Sequence, residues 1–243
     1  MGNDNLLKQK HFYDNRWSDF NFANRLKLLR CIAILNEIAS TKLFEPKILD
    51  LGCGAGWLAG ITGIFGPTTA IDLSKIAIDK ASTKFPYVNF FEADILNLQY
   101  EPNSFDIVIS QEVIEHLENV TQQENYIKIA FNILKPGGFF IITTPNRNTF
   151  EAMTKESRIK WSNQPYENLL SPFELKKLIK KYFQLLRFYT IIPGYGQKNF
   201  YRIVNSKKLM EFLDNIKIGW IFNELRLRWG YGLHFLVTAR ELK

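Results

Sequence analysis

Alternating glycines, three aspartates and an acid–acid–histidine cluster are the residues of this chain best suited to chemistry. Asp50, Gly52, Gly54 and Gly56 stand two apart within KILDLGCGAGWLAG, residues 47–60. Glycines in such a loop, with Cys53 between two of them, let backbone N–H groups approach a ligand because no Cβ intervenes. The loop opens a helix, whose N-terminus carries partial positive charge. This is the pattern of a strand, glycine loop and helix built around a nucleotide. A dinucleotide loop of the G-x-G-x-x-G type would need glycine at position 57, where Trp57 stands. Asp72 ends the next apolar run, about twenty residues beyond the loop, where a carboxylate can accept two hydrogen bonds from a ribose diol. Asp94 ends a third run in the same manner. Glu112, Glu115 and His116 follow a fourth. A histidine there could take the proton of a hydroxyl or ammonium acceptor, with His234 and His11 as alternatives.

Alternating strands and helices must position these groups. Apolar runs predict strands at 47–51, 69–72, 87–92, 105–110, 139–144, 184–192 and 233–240. The run 105–110 is almost continuously apolar, as a central parallel strand should be. Leu26, Leu29, Ile32, Leu35 and Ile38 recur at helical spacing and predict a helix over 21–40, from which Arg25 and Arg30 could reach a ligand carboxylate. Further helices are predicted at 56–63, at 74–83 capped by Ser74, at 121–134 and at 172–181. Thr121-Gln122-Gln123-Glu124 reads as a capping box, and Lys135-Pro136-Gly137-Gly138 as a helix stop. Ser171-Pro172-Phe173-Glu174 combines an N-cap, a proline at N1 and an acid at N3. Ahead of the first helix, His11, Phe12, Tyr13, Trp17 and Phe20 form either a lid or a packing segment. The aromatic stretch 193–231, with Tyr195, Phe200, Tyr201, Trp220, Phe222, Trp229 and Tyr231, is predicted to project over the carboxyl ends of the strands.

The bulk properties exclude several classes. With 46% apolar and 23% charged residues, the 243-residue chain has the composition of a globular protein with one sizeable core. Cys31 and Cys53 are the only cysteines, which excludes a disulfide framework and points to a reducing compartment. No secretory h-region, myristoylation pattern or membrane-length apolar run is present, so a cytoplasmic location is expected. The net charge of +7 permits an anionic partner, although the charges are spread along the chain.

Taken in order, ILDLGCGAG, AIDLS, EADI, SFDIVISQEVIEHLE and LKPGGFFIITTPN resemble the class I S-adenosylmethionine (SAM) dependent methyltransferases, nearest to the branch that includes the ubiquinone-biosynthesis O-methyltransferases. The resemblance is strong over 48–146 and rests on layout beyond it. Ala70 departs from the glycine frequent in the family before Ile-Asp, a small change in a small residue. The resemblance implies an α/β, Rossmann-like fold: a seven-stranded, mostly parallel sheet with its last strand antiparallel and inserted at the sheet edge, and helices on both faces. It implies one methyltransferase domain, 1–243, with an N-terminal helical cap (1–45), a SAM-binding core (46–146) and acceptor-side insertions (147–170 and 193–231). SAM is the implied cofactor. Asp50, Gly52, Cys53, Gly54, Gly56, Asp72 and Leu73 would hold its tail and ribose, Asp94 and Ile95 its adenine, and Gln111 its methionine half. His116 is the expected catalytic base.

The expected reaction is methyl transfer to an oxygen or nitrogen of a small or medium-sized metabolite with a flat or apolar portion. Alternatives are an RNA or other macromolecular acceptor, for which Lys176, Lys177, Lys180 and Lys181 could form a phosphate patch, and a non-catalytic SAM-binding protein. Glu112, Glu115 and His116 also match an E-x-x-E-H pattern that related enzymes use to hold a divalent cation. The RNA enzymes with this pattern draw another histidine from beyond the TPN motif, and 147–233 contains none. No metal is therefore expected, and no oligomeric state follows from the sequence.

Overall fold

A computed structural model describes residues 3–18, 24–161, 167–194 and 198–242. Two helices, α1 (Asn3–Ser18) and α2 (Arg25–Ser40), precede the sheet. The sheet core runs β1 (Ile48–Leu51), α3 (Trp57–Thr62), β2 (Thr68–Asp72), α4 (Lys75–Lys84), β3 (Asn89–Glu92), β4 (Phe105–Gln111), α5 (Val120–Ile133) and β5 (Leu134–Pro145). Then follow α6 (Arg147–Glu151), α7 (Lys155–Trp161), α8 (Pro172–Lys180), β6 (Gln184–Pro193), α9 (Asn199–Val204), α10 (Lys207–Asn215), α11 (Gly219–Arg228) and β7 (Gly232–Arg240). No helix among the described residues is long and apolar enough to cross a membrane. Phe20 and Tyr195 lie outside the described residues, as do 162–166.

The seven strands pair in the order β3-β2-β1-β4-β5-β7-β6. The first five are parallel, and β7 is antiparallel to both β5 and β6. The last strand is thus antiparallel as expected, but it lies one place in, and β6 takes the edge. Both faces of the central sheet are covered, which is why β1, β2, β4 and β7 are buried at nearly every position rather than at alternate ones. The two-residue period then sorts the side chains. Leu49, Leu51 and Val108 join a core with Tyr126, Ile127 and Ala130 of α5 and Leu175 and Ile179 of α8. Ile48, Ile107 and Ile109 join the opposite core with Cys31, Ile34 and Ile38 of α2.

Local signals explain most boundaries. Ser74 caps α4 by accepting from the Ala77 N–H, and Ser171 with Glu174 forms a complete capping box on α8. Three expectations are corrected. Helix α2 begins at Arg25 because Asn24 accepts from the Lys27 N–H. Helix α5 begins at Val120, one residue before the expected box, because Asn119 caps it by taking the Gln122 N–H while the Gln122 carboxamide accepts from the Glu118 N–H. Residues 135–138 belong to β5; the helix has already ended at Ile133, and Gly137, at φ +78°, lets the strand bend.

Candidate active site

The loop after β1 turns through three left-handed glycines, Gly52 (φ +78°), Gly54 (φ +53°) and Gly56 (φ +74°). A Cβ on Gly52 would collide with Val113, and one on Gly54 would lie 2.5 Å from the Trp17 ring. Only glycine satisfies both the backbone angle and the space at these two positions. The loop forms one wall of a cavity of about 450 Å³ at the carboxyl ends of the parallel strands, the place where this architecture binds ligands.

Most of the expected cofactor residues meet there. Gly52, Cys53, Gly54, Asp72, Leu73, Asp94, Ile95 and Gln111 line the cavity. Asp72 is held rigidly: Gly54 N–H donates to one carboxylate oxygen at 2.7 Å and Ser74 N–H to the other at 2.9 Å. Each oxygen accepts up to two hydrogen bonds, so a direction remains on each for a diol. Burial raises its pKa while the Ser74 and Gly54 N–H groups pull it down. Asp94 caps the short 3₁₀ turn Ile95–Asn97 by accepting from the Leu96 N–H, and so fixes the adjoining Ile95. Two expected residues stand back from the cavity wall. Gly56 is the N-cap of α3. Asp50 is 1% exposed, with neither carboxylate oxygen hydrogen-bonded. Burial, and then the charge of Asp72, push it up to about 7.

His116 lies on the cavity, its Nε2 3.7 Å from Glu115 Oε1 and its ring edge-on to Tyr13 at 6.0 Å. His11 is exposed on α1, near Asn15, and away from the cavity lining. His234 has a place that sequence reasoning did not assign. Because β7 runs antiparallel, its first residues lie beside the last residues of β5, and His234 pairs in register with Pro145. Its Nε2 lies 3.0 Å from Glu112 Oε2, and Arg30 of α2 approaches the same carboxylate at 3.9 Å. Glu112 itself adopts φ +59°, unusual for a glutamate.

The two glutamates are pushed apart. Burial opposes the charge on Glu112, but His234 and Arg30 outweigh it and hold the carboxyl at about 2. Burial, and then the Glu112 charge, drive Glu115 well above the carboxylate range, where it bonds the Thr144 hydroxyl at 3.0 Å. Among the described residues no three histidine, cysteine, aspartate or glutamate side chains are gathered to hold a metal ion.

The cavity has a second half. Helices α1 and α2 contribute Tyr13, Arg16, Trp17, Leu26, Lys27 and Arg30, and Phe150, Met153, Leu169 and Leu233 add an apolar wall. Lys27 packs over the Trp17 ring at 4.5 Å. Burial, and then Arg16 and Arg30, draw Lys27 down to about 8. Arg25 is exposed, and so are Lys176, Lys177, Lys180 and Lys181 on the outer face of α8.

SAM needs a close-approach loop, a diol acceptor, an apolar ledge for the adenine and countercharges for a zwitterionic tail. Gly52 and Gly54, Asp72, Ile95 with Leu96, and the acids and bases around Arg30 fit that list. The comparisons agree. Residues 49–142 match the methyltransferase domain family. A ubiquinone biosynthesis O-methyltransferase of Rickettsia felis is 31% identical over 186 residues, which span 71% of this chain and 75% of that protein. A probable S-adenosylmethionine-dependent methyltransferase of Mycolicibacterium smegmatis is 31% identical over 104 residues, 42% of this chain and 39% of that one. The N-methyltransferase NodS of Bradyrhizobium japonicum, solved with S-adenosyl-L-homocysteine, shares the fold at a TM-score of 0.62, with 17% identity over 99% of this chain and 98% of that one. Loop, acids, strand order and relatives converge: the chain belongs to the class I SAM-dependent methyltransferases, alongside the ubiquinone-biosynthesis O-methyltransferases.

Proposed function

We propose that this methyltransferase acts on an oxygen or nitrogen of a small or medium-sized metabolite that carries a flat or apolar portion. One observation carries the reading: the cavity joins a glycine-and-acid half suited to SAM to an apolar half, Leu26, Phe150, Met153, Leu169 and Leu233, around the Arg30–Glu112–His234 cluster. A relative named for ubiquinone biosynthesis supports an oxygen acceptor.

On this reading 46–146 is the SAM-binding core, 1–45 its cap, and 147–170 the acceptor wall. Helices α9–α11 within 193–231 supply no described residue to the cavity lining, so any acceptor role there is indirect. The free thiols of Cys31 and Cys53 suit a reducing compartment and a cytoplasmic enzyme.

Bound SAM supplies a methyl group already activated by the positive charge on its sulfur. The chain's own residues therefore mainly position the partners, which can lower the barrier by several kcal/mol. Asp50, Gly52, Cys53, Gly54, Gly56, Asp72 and Leu73 form the loop and ribose side, with Asp50 and Gly56 supporting the turn from behind. Asp94 and Ile95 take the adenine, Gln111 faces the methionine half, and Arg30 with Lys27 offers countercharge to a carboxylate. Glu112 and His234 orient the acceptor, and His116, backed by Glu115, receives its proton.

Titration calorimetry with SAM, S-adenosyl-L-homocysteine and NAD, followed by product analysis on apolar phenols, amines and a short RNA, tests the proposal. SAM and its product should bind and NAD should not, with methylation of a phenol or amine. Methylation of the RNA alone would overturn it. His116→Asn should lower kcat on the accepted substrate by about a hundredfold or more.

A further inference from the structure

The end of the sheet away from the cavity carries an apolar surface that methyl transfer does not use. Three loops meet there, because β1, β2 and β3 run parallel and each is entered from the same side. Residues 41–47 lead into β1, 63–67 into β2 and 85–88 into β3. The middle loop, Gly63-Ile64-Phe65-Gly66-Pro67, has no polar side chain, although surface loops are ordinarily polar. It is wedged between the other two. A Cβ on Gly66 would lie 2.3 Å from the Pro46 carbonyl oxygen, and one on Gly63 would lie 2.8 Å from Val88 and 3.1 Å from Tyr87. Closed up in this way, the loops leave their apolar side chains facing water. Phe44 is 88% and Ile64 73% exposed, and Leu43, Phe65 and Tyr87 are exposed as well. The backbone is committed to the display: Lys42 (φ +59°) and Glu45 (φ +45°), on either side of Leu43-Phe44, both take the left-handed conformation that favours glycine.

Area and charge select the occupant. At about 200 Å² for an aromatic side chain, the three rings alone expose about 400 Å². That matches the largest patch of a typical monomer, which is often functional. It is also about half of the roughly 800 Å² that each partner gives to a stable interface, before Ile64, Leu43 and the rim are added. The rim next to Phe44 carries both signs, since Lys42 and Glu45 are exposed and three residues apart. Lys47 lies over the Phe105 ring, and Lys84 over those of Trp57 and Phe85. Across a two-fold axis a surface meets itself, so residue i of one copy faces residue j of the other while j faces i. A face with Lys42 and Glu45 flanking Phe44 is therefore its own charge complement. A uniformly acidic or basic partner would satisfy one of the two charges and oppose the other.

We infer that loops 41–47, 63–67 and 85–88 form the contact face of a two-fold symmetric dimer of this chain. The inference does not depend on the acceptor: none of these residues lines the cavity, which lies at the opposite ends of the strands and stays open in both copies.

The test is sedimentation velocity of the full chain over a wide range of concentration, with thermal unfolding followed by circular dichroism as the folding control. The wild type should pass from monomer to dimer as concentration rises. Phe44→Ser/Phe65→Ser should weaken the dimer at least a hundredfold, because interface energy concentrates in buried aromatic side chains. Lys42→Glu and Glu45→Lys should each weaken it about tenfold, by turning two opposite pairs into two like ones. Mixed in equal amounts, these two single variants should regain at least the wild-type affinity as a mixed dimer, in which every lysine again meets a glutamate. If the apolar variant fails the folding control, the charge variants decide alone. A wild type that is monomeric throughout, a dimer that no variant alters, or single variants that do not recombine would overturn the inference.

Discussion

Two glutamates three residues apart are pushed in opposite directions, Glu112 below and Glu115 above the ordinary carboxylate range, and the difference comes from their neighbours. Glu112 faces a histidine and an arginine, whereas Glu115 faces Glu112 and a threonine hydroxyl. Pairs driven apart in this way assign acid and base roles more reliably than residue type does. The same logic applies to the aspartates. Asp72 serves the loop by accepting from the Gly54 and Ser74 N–H groups, and Asp72→Ala removes its acceptor oxygens from both the loop and the ligand. SAM affinity should fall by about 1–3 kcal/mol, the value of hydrogen bonds to a charged group; an unchanged calorimetric dissociation constant would remove Asp72 from the ribose. Asp50 is the opposite case. Its ordinary pKa of 3.8 is raised to about 7 in the fold, so the native state favours the neutral form. The associated stability is complete below pH 3.8 and is lost as pH rises through about 7. Urea unfolding between pH 4 and 8 should show the wild type losing up to about 4 kcal/mol relative to Asp50→Asn, with no further divergence above that range. Parallel curves would mean that Asp50 does not titrate where its burial implies. Glycines and aspartates could be read in advance because their spacing along one strand–loop–helix unit is local. The union of Glu112 with His234 could not, since it depends on how a strand at the far end of the chain inserts.

At the scale of elements, caps decided where sequence reading worked. Ser74 and Ser171 are followed by helices that start where their side chains dictate. At α5 two overlapping caps competed, and the box read from Thr121 lost to Asn119, which stands next to the apolar face that α5 buries. The N-terminal stretch is legible as aromatic, but the sequence leaves lid and packing segment open, because its contacts are tertiary. Trp17 of α1 closes on Gly54, and Gly54 accepts the ring only because it lacks a side chain. Gly54→Ala therefore meets two penalties: a left-handed backbone at φ +53° and a Cβ at 2.5 Å from the indole. Chemical denaturation should show a loss of about 2–3 kcal/mol, of which about 1 kcal/mol is backbone strain. In a Trp17→Ala background only the backbone part should remain. Equal losses in both backgrounds would mean that α1 does not press on the loop.

At the scale of the whole molecule, the parallel strands point their carboxyl ends at one cavity, and the single antiparallel strand brings its starting residues to the same place. Helix α1 spans that end. Lys10 pairs with Glu92 at the end of β3, Asp14 accepts from the Ser74 hydroxyl at 2.5 Å, Lys80 donates to the Trp17 carbonyl at 2.9 Å, and Gln9 donates to the His116 carbonyl at 2.9 Å. These anchors ring the cavity, so lifting α1 opens it, whereas the α8 face of the sheet can fray without touching it. A ligand that binds only the closed form raises the free energy of opening by RT ln(1 + [L]/Kd), about 2.7 kcal/mol at a hundredfold excess over Kd. Amide hydrogen exchange should therefore slow about a hundredfold in α1 and in the glycine loop when S-adenosyl-L-homocysteine is added, while the fastest amides of α8 keep their rates. If α1 kept its rate as the loop slowed, the ligand would reach the cavity beneath a helix that opens independently. The cap would then shape the acceptor half without controlling entry of the cofactor.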